Sequence, residues 1–145
     1  MPTEPAGPAR TPEYAYIYNE LDRTIAVNAS VPFDSNGLLT PGIIHATGAA
    51  GVQVVNAGDY KVTFSVSGTE PNQMALFLNG VVVEGTIYGS GAGTQQNTGQ
   101  AIFTIGAGNT LTLRNHASTA EVGLATPIGG TEASANASLT IEKLN

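Results

Sequence analysis

Residues 59–68 read DYKVTFSVSG, and this stretch decides the fold class. Its apolar side chains recur at every second position, as Tyr60, Val62, Phe64 and Val66, with polar or charged residues between them. Side chains of a β-strand alternate between its two faces, so a period of two predicts a strand with one buried and one solvated face. We expect this strand in the outer sheet of a sandwich, because such a sheet meets solvent on one side.

The same period continues from Glu13 to the end of the chain, and no stretch shows helical spacing. The Asn36-Gly37 dipeptide predicts a turn. Asn79-Gly80 lies between two apolar runs and predicts a hairpin. A second pair of neighbouring strands is expected over residues 100–105 and 109–116. About eight to ten antiparallel strands indicate an all-β, two-sheet jelly-roll sandwich.

The N-terminal segment differs from the rest of the chain. Half of the eight prolines fall there, at Pro2, Pro5, Pro8 and Pro12, and the segment has no apolar periodicity. We predict that residues 1–12 are an extended tail or linker and that residues 13–145 form one jelly-roll domain. This segment lacks the apolar centre of a signal peptide, and no apolar run reaches the roughly 18 to 20 residues of a membrane-spanning helix. The sequence therefore predicts neither an export signal in this chain nor a membrane partner.

The 145-residue chain is poor in charge, since charged residues make up 11% of it against about 25% in an average soluble domain. Charge depletion is also found at the centre of protein interfaces, so we expect part of the surface to contact protein instead of water. The net charge is −6, and the five Lys and Arg residues are scattered along the chain. Binding of nucleic acid needs a basic cluster, and we therefore exclude a nucleic acid partner.

No group of residues is suited to catalysis or metal binding. The chain has no cysteine, and His45 and His116 lie far apart without further ligands at metal-binding spacing. We expect each histidine at a loop edge or as a hydrogen-bonded core side chain. The acidic residues are single, and neither a nucleophile motif nor a phosphate-binding loop is present. The sequence predicts a protein that is not an enzyme and that has no cofactor and no metal.

Three tyrosines mark the first predicted strand. Tyr14, Tyr16 and Tyr18 fall on one face, while Ala15 and Ile17 fall on the other. The tyrosines could fill the core of the monomer. Because both faces are apolar, they could instead form a subunit interface, where aromatic side chains are enriched. The sequence leaves both interpretations open.

Residues 89–99 form a long stretch of Gly, Ser, Thr, Gln and Asn, and we expect it to be the most mobile loop. Loops held by a rigid scaffold often carry binding residues. The candidate recognition residues in this loop are Ser90, Thr94, Gln95, Gln96 and Asn97.

Several motifs resemble known proteins. Four segments in this order resemble the tumour necrosis factor and complement-q globular-head superfamily: residues 56–64 (NAGDYKVTF), 75–83 (ALFLNGVVV), 99–105 (GQAIFTI) and 108–113 (GNTLTL). More closely, the run from Tyr14 to Leu144 resembles the C-terminal domain of the BclA-type collagen-like exosporium glycoproteins of spore-forming bacteria. The segments that carry this likeness are YAYIYN (14–19), VPFD (31–34) and LTIEK (139–143).

The resemblance implies a homotrimer of jelly rolls whose inner sheets meet on a threefold axis, at the end of a collagen-like stalk on the spore surface, the exosporium. The interface residues would then be Tyr14, Tyr16, Tyr18, Ile102 and Thr104. The chain departs from this pattern in having one Gly-x-y triplet, at residues 7–9, where a stalk needs many.

The function implied by the resemblance is a structural, non-catalytic trimerisation head of a filament protein. Its partners would be its own copies and other spore-surface proteins or the stalk. The alternative is a receptor- or glycan-binding head that uses exposed loops.

Overall fold

Alternating apolar residues produce thirteen strands in residues 12–145, the part of the chain that the computed structural model describes. In chain order they are β1 (Tyr14–Asn19), β2 (Arg23–Ile25), β3 (Ser35–Leu39), β4 (Ile43–Ile44), β5 (Val52–Val54), β6 (Gly58–Val66), β7 (Asn72–Leu78), β8 (Val81–Val82), β9 (Tyr88–Ser90), β10 (Asn97–Ile105), β11 (Thr110–Asn115), β12 (Val122–Leu124) and β13 (Ala137–Lys143). The predicted tail over residues 1–12 lies outside the described residues, apart from its last position. No helix long and apolar enough to cross a membrane occurs in residues 12–145.

The strands form two large sheets and one short ribbon. The five-stranded sheet has the order β10-β6-β13-β1-β3, and the six-stranded sheet has the order β4-β5-β11-β7-β8, with β9 also paired to β7. β12 and β2 form the ribbon. All of these pairings are antiparallel, so the predicted all-β sandwich is confirmed.

The core lies between the two large sheets. Phe64 and Leu139 of the five-stranded sheet, and Leu76 and Leu113 of the six-stranded sheet, are fully buried. Removing such a side chain from water stabilises the fold by about 1.5–3 kcal/mol. Gly99 of β10 lies beside Phe64, and a Cβ atom there would overlap the Phe64 ring and stand 2.5 Å from Cδ1 of Tyr88. The close packing of this part of the core therefore requires glycine.

One expectation about strand pairing is wrong. β6 has the predicted solvated face, and it pairs with β10 and β13 in the middle of the same sheet as the tyrosine strand β1. If this sheet faces other copies, as the resemblance implies for the tyrosines, β6 belongs to the inner sheet and not to the outer one. β10 and β11, expected as neighbours, belong to different sheets, because residues 106–109 cross from one sheet to the other. Alternation shows which residues share a face, but it does not identify the partner strand.

The two Asn-Gly dipeptides behave differently. Asn79 and Gly80 connect β7 to β8 with φ angles of 48° and 81°, which confirms the predicted hairpin. Asn36-Gly37 lies within β3, where the pairing with β1 shifts register, so the predicted turn is wrong at this position. The Asn36 amide instead donates a hydrogen bond to the carbonyl of His45 at 2.9 Å.

The sandwich has two distinct ends. At the end that we call the base, Lys143 N donates to the Glu13 carbonyl at 2.8 Å and Asp59 N donates to Oδ1 of Asn145 at 2.8 Å. Because the strands are antiparallel, residues 67–71 and 91–96 lie at the opposite end, which we call the tip. Both ends of the described chain thus lie at the base, away from the tip loops.

Candidate self-association surface

The outward side of the five-stranded sheet, which we call the solvent face, follows from the alternation in β1. Ala15 and Ile17 point into the core and are 3% and 0% exposed, whereas Tyr14 and Tyr16 are 45% and 41% exposed. The interpretation that these tyrosines fill the monomer core is therefore wrong. Their place in a subunit interface stays a prediction.

Strand register arranges the solvent face in rows across β1, β13, β6 and β10. From base to tip these rows are Tyr14-Glu142-Lys61-Ile102, Tyr16-Thr140-Thr63-Gln100 and Tyr18-Ser138-Ser65-Thr98. The second and third rows carry no charge, and the first has one acid and one base. A sheet surface this poor in charge is unusual for a side that meets water, and it resembles the centre of an interface.

The tyrosines form an ordered group along one side of this face. The Tyr16 and Tyr18 rings stack with centroids 5.3 Å apart and an angle of 25° between their planes. Gly37 of β3 lies beneath Tyr16, since a Cβ there would stand 3.1 Å from Cδ2 of the ring. Tyr18 is half-buried, so the accessible aromatic surface lies on Tyr14 and Tyr16.

The remaining predicted interface residues lie on β10, at the other side of the face. Ile102 is 65% exposed and lines a groove of about 400 Å³ with Lys61, Gln100 and Ala101. Thr104 is exposed near the base, and its hydroxyl donates to Oδ1 of Asp59 at 2.6 Å. The structure therefore places all five predicted interface residues on one face, grouped at two separate sides of it.

Sequence reasoning missed Leu38, which is 73% exposed on β3 beside the tyrosines. Its neighbour Leu39 packs against the core. Because adjacent residues of a strand point to opposite faces, the Leu38-Leu39 pair indicates from the sequence that one of the two leucines lies on the outward face. An exposed leucine next to two exposed tyrosines extends the apolar area on this side of the sheet.

The predicted recognition loop is shorter than expected. Ser90 and Asn97 belong to β9 and β10 and are buried, which contradicts their assignment as recognition residues. The Asn97 amide donates to Oδ1 of Asn72 at 2.8 Å and to the Tyr88 carbonyl at 2.9 Å, so it fastens the loop to the sheet. Polar composition suggested exposure here, but a polar side chain can also be buried when its hydrogen bonds are satisfied, as those of Asn97 are.

Thr94, Gln95 and Gln96 are exposed at the tip, as a recognition role requires. They line a hollow of about 430 Å³ together with residues 67–69 and the apolar side chain of Ile128. The Ser67 hydroxyl donates to Oε1 of Gln96 at 2.7 Å and holds one wall in place. Every lining side chain is uncharged.

The two histidines and Tyr60 have structural partners. The half-buried ring of His116 packs edge-on against Phe77 with centroids 5.4 Å apart, and Nε2 of the buried His45 lies 2.8 Å from the Ala49 carbonyl. Burial raises the pKa of the Tyr60 phenol, and the Glu13 carboxylate raises it further. Within residues 12–145, no three His, Asp or Glu side chains come close enough to hold a metal ion.

Comparisons with known proteins support the same architecture. A family model described as the BclA C-terminal domain matches residues 15–145. The globular domain of zebrafish complement 1qA is 10% identical with a TM-score of 0.66, covering 89% of this chain and 94% of its own. Eiger TNF from S. frugiperda is 13% identical with a TM-score of 0.62, covering 94% of each chain.

A further similar structure is murine APRIL, which is 12% identical with a TM-score of 0.61, covering 92% of this chain and all of its own. At such low identities these likenesses show the fold alone, which is a jelly roll of the tumour necrosis factor and complement type. No curated protein matches the chain.

Proposed function

This chain belongs to the BclA C-terminal domain family, and we propose that it is the structural, non-catalytic trimerisation head of a bacterial spore-surface filament protein. The observation that carries this proposal is the solvent face of the five-stranded sheet. Tyr14, Tyr16, Leu38 and Ile102 expose between 41% and 73% of their surface there, on strands that are otherwise nearly free of charge. Contact with further copies would remove this apolar surface from water.

The number of copies and the location rest on the family. Jelly rolls of the exosporium glycoprotein type are expected to form trimers at the surface of spores, as the resemblance implies. The position of Glu13 at the base fits a head that is attached through its N-terminal side. In that arrangement the base faces the attachment and the tip faces outward.

Light scattering after size exclusion tests the assembly. A trimer has three times the mass of the 14.8 kDa chain. A monomer at micromolar concentration would overturn the proposal. Immunogold labelling of spores from the organism that encodes the chain tests the location, and label confined to the spore interior would contradict it.

A recognition head is the second candidate function, and the hollow at the tip favours it. Its walls combine hydroxyl and amide groups with the apolar Ile128, which suits an uncharged ligand such as a glycan. The test replaces residues 91–96 by a two-residue turn and measures binding to host cells and to a glycan array. Loss of binding supports recognition through the tip, provided that Thr112→Ala on the six-stranded sheet leaves binding intact. Unchanged binding would contradict it.

A further inference from the structure

We propose that the copies meet in a head-to-tail register, in which Tyr14 and Tyr16 of one copy occupy the groove beside Ile102 of the next. This inference rests on the proposed self-association and specifies which residues touch. It follows from the residues that line the groove, from the exposed aromatic side chains of β1, and from the distance between the groove and these side chains within one copy.

The groove is suited to an aromatic ring. Ile102 offers an apolar surface that is 65% exposed, and Lys61, its cross-strand partner on β6, also lines the groove and can contribute its aliphatic stem. The Lys61 ammonium group would then lie beside the ring, where the negative face of an aromatic system attracts a cation. A groove of about 400 Å³ has room for tyrosine side chains.

Few aromatic side chains of this protein are exposed enough to occupy the groove of another copy. Among residues 12–145, the aromatic rings that are exposed are those of Tyr14 and Tyr16. Tyr88 is half-buried, and its hydroxyl donates to the Gln100 carbonyl at 2.9 Å. The tyrosines of β1 are therefore the exposed rings that can enter a groove on another copy.

A copy cannot fill its own groove with its own tyrosine. Tyr14, Glu142, Lys61 and Ile102 occupy successive positions in one row across β1, β13, β6 and β10. Three strand spacings of about 4.8 Å separate Tyr14 from Ile102, so their Cα atoms are roughly 14 Å apart. The contact must therefore form between two molecules.

Two different patches at opposite sides of one face suit the threefold assembly that we propose. If only tyrosines met tyrosines, the grooves would stay empty. A twofold dimer could also place the tyrosine side of each copy in the groove of the other, but it would join two copies only, whereas the head-to-tail contact joins each copy to two neighbours and closes into a ring when the rotation is 120°. Covalent trimers therefore distinguish the ring from the dimer.

The lack of cysteine allows a direct test by cross-linking. We would combine Tyr14→Cys with Ile102→Cys, oxidise the protein with oxidised glutathione, and resolve the products by non-reducing electrophoresis and intact mass. A disulfide needs Cα atoms within about 7 Å, so the two cysteines of one copy cannot pair with each other. The proposal predicts covalent dimers and trimers for the double variant, and only uncross-linked chains for each single variant.

Controls separate this proposal from self-association itself. Tyr14→Cys combined with Thr112→Cys, which lies on the outward side of the six-stranded sheet, should give no cross-linked ladder. If light scattering shows a trimer but the Tyr14→Cys/Ile102→Cys variant does not cross-link, the register is wrong and trimerisation stands. Efficient dimers from Tyr14→Cys alone would show that the tyrosines of neighbouring copies face each other, and dimers without trimers from the double variant would show a reciprocal twofold pairing; either result would overturn the register. A monomeric mass for the unmodified chain would overturn both.

Discussion

Replacing Ile102 by serine provides a quantitative test of the solvent face. Full burial of an isoleucine contributes about 1.5–3 kcal/mol, and 65% of this side chain is still exposed in the single chain. Covering that fraction in the assembly contributes about 1–2 kcal/mol per contact, or about 3–6 kcal/mol for the three contacts of a trimer. Because about 1.4 kcal/mol corresponds to a tenfold change in an equilibrium constant, we expect Ile102→Ser to lower the trimer association constant by about 10²- to 10⁴-fold.

The assay is a dilution series followed by light scattering, with wild type and Ile102→Ser measured side by side. Ile128→Ser is the matched control, because Ile128 is also an isoleucine, is 61% exposed and lies in the tip segment between β12 and β13. Each substitution is at an exposed site and should change the unfolding free energy of a single chain by no more than about 0.5 kcal/mol. The reasoning is refuted if Ile102→Ser dissociates at the same concentration as wild type, or if Ile128→Ser weakens the assembly equally.

Three further substitutions test the core and the tip. Gly99→Ala forces a methyl group against the Phe64 ring and should cost about 1–3 kcal/mol in urea unfolding, whereas Gly91→Ala, which meets no atom within 4 Å, should cost less. Asn97→Ala leaves buried hydrogen-bond partners unsatisfied and should destabilise the fold by about 1–3 kcal/mol. An unchanged urea unfolding midpoint would contradict this role of Asn97. Thr94→Ala, at an exposed position of the same loop, is the control and should leave the midpoint unchanged. Tyr60→Phe loses the hydrogen bond to the Asn56 carbonyl, 2.6 Å long, and should be about 1 kcal/mol less stable than wild type at pH 8. The pKa of Tyr60 is raised in the folded state, so its contribution to the unfolding free energy is intact below the ordinary tyrosine pKa of about 10 and is lost as the pH rises above it. The difference in unfolding free energy between wild type and Tyr60→Phe should therefore narrow above pH 10. A difference that stays constant with pH would refute this.

Local features of the sequence predicted the strands well. The alternation in β6 and β1 and the Asn79-Gly80 hairpin depend on residues close together in the chain, and each is present. The partners of β10 were not predictable in this way, because its whole length pairs with β6, about forty residues earlier in the chain. Pairing over such distances is decided by how the two apolar layers pack, which a period of two does not encode.

The candidate site was predictable in part, for a related reason. Alternation placed the tyrosines of β1 on one face, but either face of an apolar strand could have been the inner one. The core selected Ala15 and Ile17, whose smaller side chains lie opposite Leu139 and Ile141 of β13. Ser90 and Asn97 were misassigned because both lie against Asn72, which becomes their neighbour only in the folded chain.

The position of β1 has a mechanical consequence. This strand follows directly after Glu13, and it is hydrogen-bonded on both sides, to β13 along all six of its residues and to β3. Tension between the residues before Glu13 and a contact held at the tip would therefore pull along the strand axis. In that direction the hydrogen bonds to both neighbours are loaded in shear and must break together, whereas an edge strand pulled sideways opens one bond at a time. The fold is thus arranged to resist force at the end through which we propose it is anchored.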